Sequence, residues 1–227
     1  MTMTPIQKIW EQLNFISDCS SLSEDQIKTI FPILKEEASA REVKRIRYLL
    51  QRSGIKRIKR FEDFDWKFNP HLPRNEILAF SESSWLTEVK NLVLIGPSGV
   101  GKSHLASAFC HKAIQKGIPT AFISCFDLVS KLKRSTNKLT MLNYYSTISL
   151  LCLDELGYVF PTQEQANDIF QIISKRSELA PTIVTTNLMP SQWGKIFEAS
   201  TATAILDRLS LNGSFITCEG RSYRSKK

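Results

Sequence analysis

The sequence lacks the features of membrane-spanning, secreted and metal-stabilised proteins. No apolar run approaches the roughly 18 residues that cross a bilayer, and the first residues have none of the parts of a secretory signal. The five cysteines are scattered, odd in number and never spaced as C-x-x-C. We therefore expect a cytoplasmic protein without membrane association, a disulfide framework or a zinc site.

Internal repeats, low-complexity tracts and an extreme composition are also missing. Hydrophobic residues make up 42% and charged residues 23% of the 227 positions. These values are close to globular averages and exclude disordered and fibrous proteins. The length suits one α/β domain with a small addition.

Acidic residues are scarce between Arg41 and Arg60, where nine basic residues accompany a single acid, Glu42. The whole chain has a net charge of +8. A solvated helix face is one explanation of this segment, but such faces normally mix both signs. We therefore favour contact with nucleic acid or another polyanion. The candidate contacts are Lys44, Arg45, Arg47, Arg52, Lys56, Arg57, Lys59 and Arg60.

The spacing of apolar residues divides the chain into two parts. Residues 1–60 have the helical period, and Ser53-Gly54 ends the basic helix. An aromatic-rich connector, residues 61–73, follows. Five short apolar runs then alternate with amphipathic stretches, which predicts an α/β domain with a parallel sheet. The runs are residues 92–95, 120–124, 149–153, 182–186 and 214–217. We place a helical basic domain at residues 1–60 and the α/β domain at residues 61–227.

Residues 96–103, here called the phosphate loop, satisfy the pattern G-x-x-x-x-G-K-[ST] completely. The loop follows a predicted strand and opens a predicted helix, which is the context that this motif requires. Backbone N–H groups and the helix N-terminus attract phosphate. Lys102 is expected to reach the β- and γ-phosphates of a nucleotide, and the Ser103 hydroxyl to bind Mg²⁺. The loop consists of Gly96, Pro97, Ser98, Gly99, Val100, Gly101, Lys102 and Ser103.

Two carboxylates, Asp154 and Glu155, end the apolar run at residues 149–153. Burying either charge unpaired costs several kcal/mol, so packing does not explain them. Beside a phosphate loop, both have a role: Asp154 is expected to hold Mg²⁺ and Glu155 to polarise the attacking water. An ordinary strand exit with solvated acids is the alternative.

Two further polar residues are ambiguous by residue type. Asn187 follows the run at 182–186, so it either contacts the γ-phosphate or the water, or caps a turn before Met189-Pro190. Arg208 lies on a predicted helix beside Asp207. It is either half of a surface ion pair or an arginine finger that reaches the neighbouring subunit.

Together these motifs resemble those of the IstB-like ATP-binding proteins, which are transposition helper ATPases of the AAA+ superfamily and relatives of the DnaC-like helicase loaders. The similarity extends from about residue 61 to residue 224. Three elements are more specific than the phosphate loop. They are Leu-Asp-Glu-Leu-Gly-Tyr at 153–158, Ser-Gln-Trp-Gly at 191–194 and Ser-Tyr-Arg at 222–224.

The resemblance implies an AAA+ P-loop NTPase fold with a five-stranded parallel sheet flanked by helices. The strand before Asn187 is expected between those that precede the phosphate loop and Asp154. This order places Lys102, Asp154, Glu155 and Asn187 around one γ-phosphate. His104, directly after the loop, joins the nucleotide contacts.

The resemblance also implies that Arg208 acts in trans, so that hydrolysis requires a homo-oligomer. Only 19 residues follow Arg208, which is too few for a complete C-terminal lid. Such a lid supplies a second arginine sensor in many AAA+ proteins, and Arg221 or Arg224 are the candidates to replace it here.

Family members assemble on duplex DNA with ATP and present it to a transposase. The resemblance places a second basic segment against DNA, namely Lys131, Lys133, Arg134 and Lys138. We therefore expect a DNA-stimulated ATPase that helps a transposase to select its target. The alternatives are a loader of a replicative helicase and an inactive nucleotide-bound scaffold, and the complete set of catalytic residues argues against the scaffold.

Overall fold

The computed structural model describes residues 3–158 and 160–225. Its contacts divide the chain into two compact units, Met1–Tyr48 and Leu49–Lys227. Residues 49–60 thus belong to the second unit by their contacts. A domain boundary at residue 60 stays a prediction.

The first unit is helical. Helix α1 (Pro5–Gln12) begins with a capping box, in which Thr4 and Gln7 each bind the backbone of the other. Helix α2 (Glu24–Arg52) starts in this unit, and its last turn belongs to the second. The Arg41 guanidinium donates to the Leu13 carbonyl at 3.2 Å, which ties α2 to the end of α1.

The second unit alternates strands with helices, as the apolar runs predict. Its helices are α3 (Arg74–Glu82), α4 (Lys102–Gln115), α5 (Cys125–Arg134), α6 (Lys138–Thr147), α7 (Gln163–Arg176) and α8 (Ala199–Ser210). Its strands are β1 (Asn91–Ile95), β2 (Thr120–Ser124), β3 (Leu150–Leu156), β4 (Thr182–Thr186) and β5 (Gly213–Thr217). Two short 3-10 helices, Pro190–Lys195 and Tyr223–Ser225, complete it.

All strand pairings in the sheet are parallel, and the strand order is β2-β3-β4-β1-β5. The strand before Asn187 was predicted to lie between the strand before the phosphate loop and the strand before Asp154. This prediction is confirmed, because β4 lies between β1 and β3. Parallel strands end at the same edge, so the phosphate loop, Asp154 and the end of β4 lie side by side.

Apolar side chains cover both faces of the sheet, and the described strand residues of β1, β3 and β4 are almost all buried. One face packs against α5, α7 and α8, for example through Leu128, Ile169 and Ile205. The other packs against α3 and α4 through Ile77, Leu105 and Phe109. This two-sided burial explains why the strands are continuous apolar runs in the sequence.

The outer edge of β2 is covered by the chain that leaves α2. The Phe122 N–H donates to the Ser53 carbonyl at 2.6 Å. Gly54 follows with φ +82°, and a Cβ there would overlap the Phe122 carbonyl. The predicted end of the basic helix at Ser53-Gly54 is confirmed, and glycine is required there by the close approach to the sheet.

Within the described residues, every helix is too short or too polar to cross a membrane.

Candidate nucleotide site

The phosphate loop connects β1 to α4, and it turns through glycines in the left-handed region. Gly101, with φ +108°, is the N-cap of α4. The Lys102 ammonium folds back and donates to the carbonyls of Gly96 at 2.7 Å and Pro97 at 2.8 Å. The loop thus holds its lysine over the backbone that the motif assigns to phosphate.

Lys102 is nearly buried, with 6% of its surface exposed. Burial lowers its pKa, and the negative charges of Asp154 and Glu155 partly offset this effect. A cation held in a poorly solvated loop gains most from an anionic ligand, because water does little to stabilise its charge. The environment of Lys102 therefore favours a phosphate partner.

Asp154 sits at the centre of the polar groups. Its Oδ1 accepts from the Ser103 hydroxyl at 2.8 Å and from the Thr185 hydroxyl at 2.5 Å. The carboxyl group is mostly buried, with 8% of the residue exposed. The structure thus brings together Ser103 and Asp154, the two predicted magnesium ligands.

Oxygen donors of this kind suit Mg²⁺, which binds P-loop proteins through few protein ligands and completes its shell with phosphate and water. No cluster of three or more His, Cys, Asp or Glu side chains suited to a metal occurs among residues 3–158 and 160–225. A two-residue oxygen site beside the loop therefore fits a metal that arrives with the nucleotide.

Glu155 lies at a bulge of β3, where this strand loses its regular pairing with β4. The register of β3 against β4 shifts between Leu153 and Leu156, and Glu155 has φ +61°. Its backbone N–H donates to the Thr185 hydroxyl at 2.9 Å. A non-glycine residue in this conformation is strained, and such strain is typical of functional sites. The bulge directs Glu155 to the cavity beside the loop.

A cavity of about 300 Å³ lies over the phosphate loop. Loop and strand ends form its floor, the connector forms one wall, and Tyr223 and Arg224 form another. The predicted nucleotide residues at its surface are Ser98, Gly99, Val100, Gly101, Lys102, Ser103, His104 and Glu155. The others are Lys59, Asp63, Phe64, Asp65, Phe68, Asn69, Tyr158, Thr185, Tyr223 and Arg224.

The connector wall is aromatic. The Phe64 ring lies against Gly101, where a Cβ would overlap it, and meets the His104 ring edge-on at 5.0 Å between centroids. His104 Nε2 donates to the Arg60 carbonyl at 2.9 Å, and burial lowers the pKa of this imidazole. His104 thus anchors the connector while it lines the cavity.

Two predicted site residues, Asn187 and Arg208, are not among the described residues that line the nucleotide cavity of their own chain. Asn187 is exposed at the end of β4, its side chain lies beside Gly157, and it is not among the described residues that line the cavity. The Arg208 guanidinium pairs with Asp207 at 3.1 Å and lies 5.7 Å from the centre of the Phe170 ring.

Asn91 shows where Arg208 lies relative to the sheet. Its amide donates to the carbonyls of Arg208 at 3.3 Å and Leu211 at 3.3 Å, and its oxygen accepts from the Thr182 N–H at 2.9 Å. The end of α8 is therefore tied to the edge where β1 and β4 begin. The phosphate loop leaves the opposite edge, about 13 Å away along a five-residue strand.

The predicted DNA-contacting residues have different environments. Most are exposed, including Lys133 and Arg134 in the last turn of α5. Lys138, in contrast, binds the carboxylates of Glu164 at 2.7 Å and Asp168 at 2.8 Å, which raise its pKa. Lys59 lines the nucleotide cavity instead of an outer surface.

Sequence reasoning missed two groups of site residues. Thr185 was only one polar residue among three at the end of its strand. The connector showed no nucleotide motif, although the aromatic density of residues 61–73 is unusual for a linker. Their roles depend on approaches between segments that are far apart in sequence.

This fold and this loop define an AAA+ P-loop protein of the ATP-binding class. A family model described as IstB-like ATP binding protein matches residues 3–227, and the chain belongs to this family.

Two relatives are ATP-binding proteins of insertion sequences. That of IS232 from Bacillus thuringiensis subsp. berliner is 35% identical over 204 residues, covering 88% of this chain and 82% of the relative. That of IS5376 from Geobacillus stearothermophilus is 32% identical over 202 residues, covering 87% and 80%. Among solved structures, the DnaC helicase loader superposes with a TM-score of 0.54 and 25% identity, covering 64% of this chain and 88% of the loader.

Proposed function

We propose that the protein is a DNA-stimulated ATPase that assembles on duplex DNA in the cytoplasm and helps a transposase to select its target. The observation that best supports hydrolysis is the chain of contacts from Ser103 through Asp154 and Thr185 to the backbone of Glu155. This chain orients the predicted metal ligands and the predicted water-polarising carboxylate against the phosphate loop. Membership of a family whose relatives are named for insertion sequences supports the role in transposition.

In this proposal ATP occupies the cavity, and Lys102 exchanges its loop carbonyls for the β- and γ-phosphates. Ser103 and Asp154 hold Mg²⁺, which neutralises charge on the transferred phosphoryl group. Glu155 accepts a hydrogen bond from the attacking water and positions it. Asn187 contacts the γ-phosphate or this water once ATP is bound, which requires its exposed side chain to turn toward the cavity.

Arg208 acts in trans in this proposal. Its helix end lies at the edge of the sheet opposite to the phosphate loop, so its own nucleotide is out of reach. Its remaining route to a γ-phosphate is a neighbouring copy of the chain. Hydrolysis therefore requires a homo-oligomer, and an arginine finger supplied in this way accelerates phosphoryl transfer by about 10³ to 10⁵.

The contacts to DNA are proposed to come from exposed basic residues of α2, of the segment that follows it and of α5. Contacts of this kind neutralise phosphates without reading bases, so binding is sequence-tolerant and weakens steeply with salt. The pairing of Lys138 with two carboxylates favours Lys131, Lys133 and Arg134 over Lys138 as contacts.

A role as a loader of a replicative helicase is the second candidate. The similarity to the DnaC helicase loader, at 25% identity and a TM-score of 0.54, is the observation that supports it. A loader of this kind senses single strands and grips its helicase. The two roles therefore differ in which DNA the ATP-bound protein prefers.

The deciding experiment uses the Glu155→Gln variant, which keeps the shape of the side chain but removes its charge. With ATP and Mg²⁺ it is titrated with random-sequence duplex and single-stranded DNA at two salt concentrations. We expect cooperative, ATP-dependent, salt-sensitive binding to duplex. Preference for single strands, or binding that needs a helicase, would contradict the role in transposition, and rapid hydrolysis by this variant would contradict the role of Glu155.

A further inference from the structure

The side chain of Arg208 is held at the surface between helices α7 and α8. Its guanidinium carbon lies 5.7 Å from the centre of the Phe170 ring, which belongs to α7. One of its nitrogens binds the Asp207 carboxylate at 3.1 Å, and the side chain keeps 37% of its exposure. The charged group therefore rests on an aromatic face and still reaches solvent.

The backbone beneath both side chains is fixed by the core. Ile169 and Ile173 of α7 and Ile205 and Leu209 of α8 are buried, and all four belong to the core on the same face of the sheet. Phe170 is partly buried and packs against that core. Because the two helices are anchored on either side of it, the Phe170 ring offers a fixed support to the guanidinium.

The two contacts of Arg208 differ in what they leave available for a ligand. Asp207 is 74% exposed, and an ion pair of this kind contributes little and occupies N–H donors. An aromatic face attracts the guanidinium and restricts its plane, but it uses none of the five N–H donors. A phosphate can therefore replace Asp207 while the contact with Phe170 persists.

We propose that Phe170 is a positioning residue for Arg208, whose ring holds the guanidinium on the outer surface of α7 and α8 for the γ-phosphate of a neighbouring subunit. The inference rests on the proposed role of Arg208 in trans and adds a residue that acts only through it. Phe170 is not among the described residues that line the nucleotide cavity of its own chain. It therefore affects turnover in the neighbour's site and leaves ATP binding in its own site unchanged.

The first test measures steady-state ATP hydrolysis by the full chain with Mg²⁺ and duplex DNA. Phe170→Leu keeps an apolar side chain against the core but removes the aromatic face. We expect it to lower kcat about 5- to 30-fold, the worth of a cation–π contact that becomes desolvated between subunits. The KM for ATP and equilibrium binding of labelled ATP should stay within about twofold of the wild type.

Phe170→Tyr is the conservative control, because it keeps the ring, and its kcat should stay within about twofold of the wild type. Equal losses in the Leu and Tyr variants would overturn the role of the ring face. An unchanged kcat in Phe170→Leu, or a loss of ATP affinity that accounts for the lower turnover, would overturn the positioning role.

The second test mixes variants to find out in which subunit Phe170 acts. Lys102→Ala lacks a working phosphate loop but keeps Arg208 and Phe170, so it should restore turnover to the intact nucleotide sites of Phe170→Leu. Arg208→Ala cannot lend an arginine, so mixing it with Phe170→Leu should give no recovery. Recovery with neither variant would show that Phe170 acts within its own subunit and would overturn the proposal.

A loss of assembly is distinguished by light scattering of the ATP-bound and DNA-bound complexes. Phe170→Leu should form complexes of the wild-type mass. Turnover that falls only in proportion to lost assembly would make Phe170 a subunit contact and overturn its positioning role. Wild-type hydrolysis by Arg208→Ala would instead contradict the finger in the proposed function, which is a separate result.

Discussion

At the end of β4, the Thr185 hydroxyl serves two neighbouring residues at once. It donates to the Asp154 carboxylate at 2.5 Å and accepts from the Glu155 N–H at 2.9 Å. One oxygen therefore fixes both the predicted metal ligand and the strained backbone of the predicted catalytic carboxylate. Buried groups with complete hydrogen bonding hold such positions well.

We predict that Thr185→Val, which keeps the shape but removes the hydroxyl, lowers the ATPase turnover number by about 10- to 100-fold, as losses of supporting bonds around metal ligands do. Binding of ATP should change little, because the phosphate loop is intact. Steady-state ATPase assays with DNA present, together with nucleotide titration, measure both quantities.

Thr185→Ser provides the control for this prediction, because it restores the hydroxyl without the methyl group. It should recover most of the turnover. If Thr185→Val hydrolyses ATP at the wild-type rate, Asp154 and Glu155 do not depend on this hydroxyl and its role is structural only.

At the scale of secondary structure, the end of α5 and the start of α6 show that equal charges need not have equal roles. Lys133 lies exposed in the last turn of α5. Lys138 begins α6, and its ammonium is bound to Glu164 and Asp168 of α7. The positive charge of Lys138 is thus neutralised within the fold, where it joins α6 to α7.

We predict that Lys133→Ala weakens binding to duplex DNA and lowers the slope of log K against log salt by about 1, the value for one phosphate contact. Lys138→Ala removes the same charge and serves as the matched control, and it should leave the slope nearly unchanged. Fluorescence anisotropy at several salt concentrations gives both slopes. Equal decreases in the two variants would contradict the distinction.

At the scale of the whole molecule, the sheet separates the two halves of the proposed catalytic machinery. Lys102, Asp154 and Glu155 lie where the strands end, and Arg208 lies beside Asn91, where β1 begins. Active sites in this proposal form only between copies of the chain.

We predict that Arg208→Ala binds ATP but does not hydrolyse it, and that Lys102→Ala does not bind ATP. A mixture of the two should regain activity, because an intact phosphate loop from one variant can meet an intact arginine from the other. ATPase assays across mixing ratios, with DNA present, measure the rescue. Activity that stays absent at every ratio would contradict a finger in trans, and normal ATP binding by Lys102→Ala would contradict the assignment of the loop.

Local patterns were sufficient for most of the fold. The β2 and β4 bounds match the predicted runs, and β1 and β5 begin one residue before them. The main difference is β3, which extends to Leu156 instead of ending at residue 153. Its bulge lets the strand continue through Asp154 and Glu155, and no period in the sequence indicates a bulge.

The sequence by itself determined the phosphate loop, the parallel sheet and the family, because these depend on residues that are neighbours in the chain or repeat with the period of one element. The tertiary structure alone decided that Thr185 supports Asp154, that Lys138 is paired and that Arg224, not Arg221, lines the cavity over the phosphate loop. Each of these depends on contact between segments distant in sequence. Such contacts follow from packing and backbone approach, which a linear pattern does not encode.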